Sequence, residues 1–235
     1  MAAPRRFALI PAAGTGMRFG GGVPKQYVPL AGLPLLRRSI DALNDAVVLE
    51  SVFVVLAPDD KLYVERVGKV RGVEALYCGG STRGESVKNG LDAIGRRAEA
   101  EDWVLVHDAA RPCVDVTTLN RLLHELEHEP VGGLLAVPLA DTLKRAEAGA
   151  GLRAMSTESR DGLWCAQTPQ MFRFAILEHA FRNADTSKIT DEAQAVEALG
   201  VRPRLVQGSP LNIKVTYPED VALAEAILEQ RRSRA

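Results

Sequence analysis

Phe7-Ala8-Leu9-Ile10-Pro11-Ala12-Ala13-Gly14-Thr15-Gly16 is an apolar run that stops in a glycine-rich loop. The run is short and shows no apolar–polar alternation, the pattern of a strand buried on both faces. Four more such runs follow, at 52–57, 103–107, 134–138 and 204–207. Helical patterns lie between them. Leu119, Leu122, Leu123 and Leu126 repeat at i, i+3, i+4 and i+7. Asp191 and Gln194 resemble a capping box ahead of 193–199. Pro218-Glu219-Asp220 opens a last helix with acids at the positive end of its dipole. Strands alternating with helices predict an α/β fold, with a Rossmann-like, mostly parallel sheet flanked by helices. Ligands of such sheets bind beyond the C-terminal ends of the strands.

Composition sets the remaining bounds. At ~150 residues per domain, a chain of 235 is one large domain or two small ones. Hydrophobic residues make up 46% and charged residues 25%, which excludes disorder as the main state. A net charge of −1 argues against a general nucleic-acid binder. No apolar run approaches the ~18 residues of a membrane span, and 7–10 is too short for a signal peptide. Cys78, Cys113 and Cys165 form no disulfide or zinc pattern. They are expected to be buried small hydrophobes in a reducing compartment, the cytoplasm.

The loop after the first strand decides the chemistry. It lacks the third glycine of a dinucleotide fingerprint, where Phe19 stands, and it lacks the Gly-Lys-Ser/Thr of a Walker A loop, because Lys25 follows Pro24. What remains is a run of small residues with two cations, Arg18 and Lys25, seven positions apart. Backbone amides and two such cations suit a polyphosphate and charge on a transferring phosphoryl group. The alternative is a glycine loop with solvated charges.

Other candidates carry two readings each. Asp108 follows the run at 103–107 and suits Mg²⁺ held against phosphates, or else a structural ion pair with Arg111 three residues on. Gly79-Gly80-Ser81-Thr82-Arg83-Gly84-Glu85-Ser86 reads as a loop recognising base or ribose, or as helix capping. Lys214, in the strand-like Asn212-Ile213-Lys214-Val215-Thr216, points into a site or to solvent. Thr142 to Ala154 reads as two short strands around Gly149-Ala150-Gly151, an exposed loop or an arm packed on a second subunit. His124-Glu125-Leu126-Glu127-His128 matches a zinc-protease motif, but the leucine stripe turns both histidines away from the core.

Taken together these segments resemble a known family. Pro11-Ala12-Ala13-Gly14-x-Gly16-x-Arg18, with Lys25-Gln26 following, resembles the signature loop of sugar-phosphate nucleotidyltransferases. The run 106–112, Asp141-Thr142-x-Lys144, Gln167-Thr168-Pro169-Gln170, Thr190-Asp191-Glu192-Ala193 and the run 212–216 narrow the resemblance. It is to the 2-C-methyl-D-erythritol 4-phosphate cytidylyltransferases of the non-mevalonate isoprenoid pathway, and to members without a fused cyclodiphosphate synthase.

The resemblance implies cytidylyl transfer from CTP to methylerythritol 4-phosphate with Mg²⁺ as cofactor. By motif position, Arg18, Lys25, Lys214 and Arg160 would be catalytic. Ala12, Ala13, Gly14, Thr15, Gly16, Gly80, Ser86 and Ala109 would bind the nucleotide, and Asp108 the metal. Arg111, Thr142, Arg160, Thr168 and Lys214 would bind the acceptor. Arg160 would reach a neighbouring subunit's site, so residues 1–235 are expected to form one domain with a dimerisation arm at about 139–160, in a homodimer. Ser81 stands where some members have an acid, and a ribitol 5-phosphate cytidylyltransferase is the nearest rival.

Overall fold

In the computed structural model, residues 3–233 are described, apart from 15, 17, 18, 21, 148, 150 and 151. The first half of the chain runs β1 (Arg6–Pro11), a 3-10 turn (Lys25–Tyr27), β2 (Pro29–Leu30), β3 (Leu33–Pro34), α1 (Leu35–Asn44), β4 (Ser51–Val55), α2 (Tyr63–Arg66), β5 (Val73–Leu76), α3 (Arg83–Ile94) and β6 (Trp103–Val106). The second half runs α4 (Val116–Leu126), β7 (Gly132–Pro138), β8 (Leu143–Ala146), β9 (Ala154–Glu158), β10 (Trp164–Arg173), α5 (Phe174–Asn183), α6 (Glu192–Glu197), β11 (Arg204–Gln207) and α7 (Glu219–Arg232).

Seven strands form one sheet in the order β11-β7-β10-β6-β1-β4-β5. All neighbours are parallel except β10, which runs antiparallel to β6 and β7. The absence of alternation in β1 has its expected cause. Phe7 and Leu9 pack with α3, α5 and α6 on one face, while Ala8 and Ile10 pack with α1 and α4 on the other. All four side chains are fully buried.

Five strands of the seven-stranded sheet fall where the sequence predicts them; β5 and β10 of that sheet, and the two-residue pair β2 and β3, have no counterpart in the sequence reading. β5 is short and half-buried. β10 carries Gln167, Thr168, Pro169 and Gln170, which lack the apolar pattern of a central strand. Its register shifts between Ala166 and Gln170, and that irregularity accommodates Pro169. The run 212–216 is an irregular strap rather than a strand. The hairpin exists as β8 and β9, but its second strand starts at Ala154, where the sequence reading ended it. Its turn residues Ala150 and Gly151 lie outside the described residues. Cys113 is buried as expected, whereas Cys165 is exposed, because the first three residues of β10 lie outside the core.

A polar tie fixes the start of β1. Asp102 accepts from the Arg5 backbone N–H at 2.7 Å, from Arg5 Nε and Nη2 at 3.1 and 2.7 Å, and from the Glu99 N–H at 2.8 Å. Burial works to raise the Asp102 carboxyl, but the Glu99 N–H and Arg5 override it and hold it below the usual carboxylate range. Such a group stabilises the fold above its unfolded pKa, and the contribution disappears as pH falls through the folded value. Asp102→Asn is expected to lower the melting temperature at pH 7 by about 5 °C. The gap to wild type should close on acidification, and equal melting temperatures at pH 7 would refute the tie.

Candidate active site

Strands β4 and β5 extend the sheet to one side of β1, and β6 lies on the other. The chain therefore reverses its direction of winding between β1 and β6, where open α/β sheets form their ligand crevice. A cleft of about 530 Å³ lies there. It is lined by Ala12, Ala13, Gly14, Gly16 and Lys25 from the glycine loop, Gly80, Ser81, Thr82, Arg83 and Ser86 at the start of α3, Asp108 and Ala109 after β6, and Lys214 from the strap. Ten of the sequence-predicted residues thus share one cavity. Thr15 and Arg18 lie outside the described residues.

The loop is built to bring Lys25 back over its own entrance. Gly16 has φ +67°, and a Cβ there would stand 2.5 Å from Lys25 Cβ, so only glycine lets the two segments approach. Buried Gln26 donates from Nε2 to the Ala12 carbonyl at 2.9 Å. Buried Tyr27 donates its hydroxyl to Asp60 at 2.7 Å, which together with burial pushes its pKa up. Lys25 Nζ donates to the Val215 carbonyl at 2.8 Å. The Val215 N–H donates to the Ala110 carbonyl at 2.8 Å, and its side chain is buried. That anchor settles the direction of Lys214, whose Nζ lies 2.8 Å from Asp108 Oδ2.

At α3, Thr82 caps the helix by accepting from the Glu85 N–H at 3.1 Å, so the capping reading of this loop holds. Its hydroxyl also donates to the Thr186 carbonyl at 3.1 Å. Ser86 Oγ accepts from the Gly80 N–H at 3.1 Å and donates to the Thr82 carbonyl at 3.0 Å. This locks the cleft-facing turn. Ser81 donates from N and Oγ to the Glu85 carboxylate, at 2.7 and 2.8 Å.

Asp108 is the electrostatic centre. Arg83 Nε lies 3.2 Å from its Oδ1, and Lys214 Nζ and Arg111 Nε lie 2.8 and 3.5 Å from its Oδ2. Burial alone would raise the carboxyl, but Arg83, then Lys214 and Arg111, hold it far below the usual carboxylate range. Arg83 also grips Glu192, at 2.6 and 3.2 Å. Neither Arg83 nor Glu192 is among the sequence-predicted site residues. The signal available for Glu192 is its place beside Asp191 in a quoted motif.

Behind Asp108 lies a fixed hydrogen-bond frame. Thr168 Oγ1 accepts from the Asp108 N–H at 3.0 Å and lies 3.1 Å from His107 Nδ1, while His107 Nε2 lies 3.0 Å from the Arg111 carbonyl. A carbonyl only accepts, so Nε2 carries the proton and Nδ1 accepts from the Thr168 hydroxyl. Burial lowers the His107 pKa to about 4, so the ring is neutral near pH 7. Asn212 Nδ2 donates to the Thr168 carbonyl at 2.9 Å, and Arg111 Nη1 donates to the Asn212 carbonyl at 2.7 Å.

Four predicted residues lie outside the cleft lining. Thr168 and Arg111 belong to this frame beside it. Thr142 and Arg160 are exposed on the arm. Away from the cleft, His124 and His128 are both exposed, and α4 ends at Leu126, so His128 is not on the helix. Among the described residues, no group of three His, Cys, Asp or Glu side chains is placed to hold a metal. No described helix is long and apolar enough to cross a membrane.

Comparison with known proteins matches this geometry to one family. The profile of IspD, 2-C-methyl-D-erythritol 4-phosphate cytidylyltransferase, matches residues 7–230. The protein of that description from Dechloromonas aromatica (strain RCB) is 52% identical over 231 residues, covering 97% of this chain and 100% of its own. That from Azoarcus sp. (strain BH72) is 51% identical, with coverages of 97% and 96%. A crystal structure of a 4-diphosphocytidyl-2C-methyl-D-erythritol synthase superposes with a TM-score of 0.84 at 38% identity, covering 96% of this chain and 99% of that one. The Thermus thermophilus cytidylyltransferase gives 0.76 at 32% identity, with coverages of 97% and 100%. The chain belongs to the 2-C-methyl-D-erythritol 4-phosphate cytidylyltransferase family.

Proposed function

We propose that this enzyme transfers the cytidylyl group of CTP to 2-C-methyl-D-erythritol 4-phosphate in isoprenoid precursor biosynthesis, in the cytoplasm. The observation that carries this reading is the convergence of the glycine loop, Lys25, Lys214 and Asp108 on one cleft at the β1/β6 crevice. An acceptor phosphate oxygen attacks the α-phosphorus of CTP, and the bond from that phosphorus to the bridging oxygen of the β-phosphate breaks. Pyrophosphate leaves and no enzyme bond forms. The protein contributes positioning and charge. Lys25 and Lys214 stand where α-phosphate charge would be met, with Arg18 as a third cation by motif position. Gly80 and Ser86 supply the turn that reads cytosine, and Ala109 lies beside the ribose.

The donor set fits Mg²⁺. One ionised carboxylate, Asp108, lines the cleft, and Mg²⁺ is typically held by one or two carboxylates together with substrate phosphates. Bound there, the ion would neutralise phosphate charge. Arg111 and Thr168, beside Asp108, set the loop that borders the acceptor.

The arm exposes Leu152 and Met155, with Leu163 and Trp164 beyond it, an apolar surface suited to a second copy of the chain. In such a homodimer Thr142 and Arg160 serve the acceptor end of a site. Arg160→Ala is expected to raise the acceptor KM about tenfold or more while CTP affinity stays within about twofold. Steady-state kinetics with nucleotide calorimetry checks this, and an unchanged acceptor KM and kcat would remove Arg160 from the site. The function itself is tested by pyrophosphate release with CTP and Mg²⁺, offering methylerythritol 4-phosphate and ribitol 5-phosphate separately. Release with the first alone is expected. Release with the second alone would overturn the acceptor, and CTP binding without release would make the protein a nucleotide-binding regulator.

A further inference from the structure

The three cations on Asp108 are not equivalent. Arg83 reaches Oδ1, whereas Lys214 and Arg111 approach Oδ2. Arg83 is itself held, since its two terminal nitrogens meet the two oxygens of Glu192 as a bidentate pair. Glu192 has no exposed surface. It opens α6, whose start is locked by Asp191 accepting from the Gln194 N–H at 2.9 Å and by Gln170 bridging Asp191 and the Ala193 N–H. Lys214, by contrast, is 41% exposed on the strap before α7. Arg83 is fixed in place and Lys214 is able to leave, while Arg111, held by the Asn212 carbonyl at 2.7 Å, stays at 3.5 Å from Oδ2.

The charges divide in the same way. Burial pushes the Glu192 carboxyl up and Arg83 opposes this; as the bidentate partner of Arg83 at 2.6 and 3.2 Å, Glu192 cancels the guanidinium charge, so the chain Glu192–Arg83–Asp108 keeps the net charge of a lone carboxylate. Without Glu192, the guanidinium would be an uncancelled positive charge on the carboxylate, and it would repel any further cation brought there. Burial opposes the Arg83 charge, but Glu192 and Asp108 outweigh it and keep the guanidinium protonated.

We propose that Arg83 and Glu192 are positioning residues for a divalent cation on Asp108. Arg83 pins the carboxylate through Oδ1, Glu192 cancels the charge of Arg83, and Oδ2 exchanges Lys214 for the metal. Lys214 is thereby released toward the nucleotide phosphates. This rests on the reading of Asp108 as the metal ligand. A purely structural pair would tie α6 to α3 and affect melting alone.

The test is the gain in CTP affinity on adding Mn²⁺, taken by calorimetry as the ratio of Kd in EDTA to Kd with the metal. Glu192→Gln preserves shape and removes one charge, and it is expected to shrink that gain about tenfold, the usual cost of losing a group behind a metal ligand. Arg83→Gln/Glu192→Gln removes both charges and is expected to restore most of the gain, leaving it about threefold below wild type because the pin on Oδ1 is lost. A folded Glu192→Gln whose gain stays within about twofold of wild type would overturn the proposal. Should that variant fail to fold, the double variant decides, because a loss of more than about tenfold in it contradicts the charge balance. Asp108→Asn separates the underlying reading. If it keeps the wild-type gain, Asp108 is not the ligand and the proposal falls with that assignment; if it abolishes the gain, the Glu192 result stands on its own.

Discussion

Replacing Lys25 by alanine is expected to lower kcat by about 100-fold or more, the usual cost of removing a preorganised charge from a transition state. Its backbone does not depend on the side chain. Gln26 holds the Ala12 carbonyl, Tyr27 holds Asp60, and the Lys25–Tyr27 turn stays between them. The loss should therefore fall on turnover rather than on folding. The ammonium donates to the Val215 carbonyl at 2.8 Å, which holds it at the rim of the cleft. CTP affinity should fall less than kcat, because charge at the α-phosphate builds up as the bond to the acceptor forms. Pyrophosphate release under saturating substrates, with thermal unfolding as the control for folding, is the measurement. A kcat within about twofold of wild type would remove Lys25 from the reaction.

Asp108→Asn is expected to reduce kcat about 1000-fold, a loss that added Mg²⁺ does not restore. The substitution keeps the shape of the side chain and leaves the Asp108 backbone N–H on Thr168. It removes the counter-charge of three cations. Arg83 still has Glu192, Arg111 still has the Asn212 carbonyl, and Lys214 is exposed enough to turn to water. The melting temperature should drop by only about 5 °C, so loss of activity cannot be assigned to unfolding. Near-normal turnover, within about threefold at saturating Mg²⁺, would show that the carboxylate serves only as an ion-pair partner.

Local pattern is enough for part of this molecule. An apolar run without alternation, ending in small residues, specifies a strand buried on both faces and a loop at its C-terminal end, because both are properties of consecutive residues. The same holds for Asp108 at the end of β6, for the Asp191–Gln194 cap and for the leucine face of α4. Residues that share one loop, such as Gly14, Gly16 and Lys25, come together for the same reason.

Sequence alone left the direction of Lys214 undecided, since a lysine between apolar neighbours more often faces water. Burial of Val215 and its N–H bond to Ala110 turn Lys214 onto Asp108, and neither partner is near it in the chain. β10 was hidden because a central strand made of Gln167, Thr168, Pro169 and Gln170 has no apolar signature. Its polar groups are satisfied instead by Asp108, Asp191, Ala193, Ser209 and Asn212. Arg83 and Glu192 stand 109 residues apart, and a polar pair at that separation leaves no periodic trace. Runs of consecutive residues specify the strand core, the phosphate-facing loop and the carboxylate at its edge. Which charges meet there is settled by the folded chain, because ion pairs between distant segments exist only once the sheet brings their ends together.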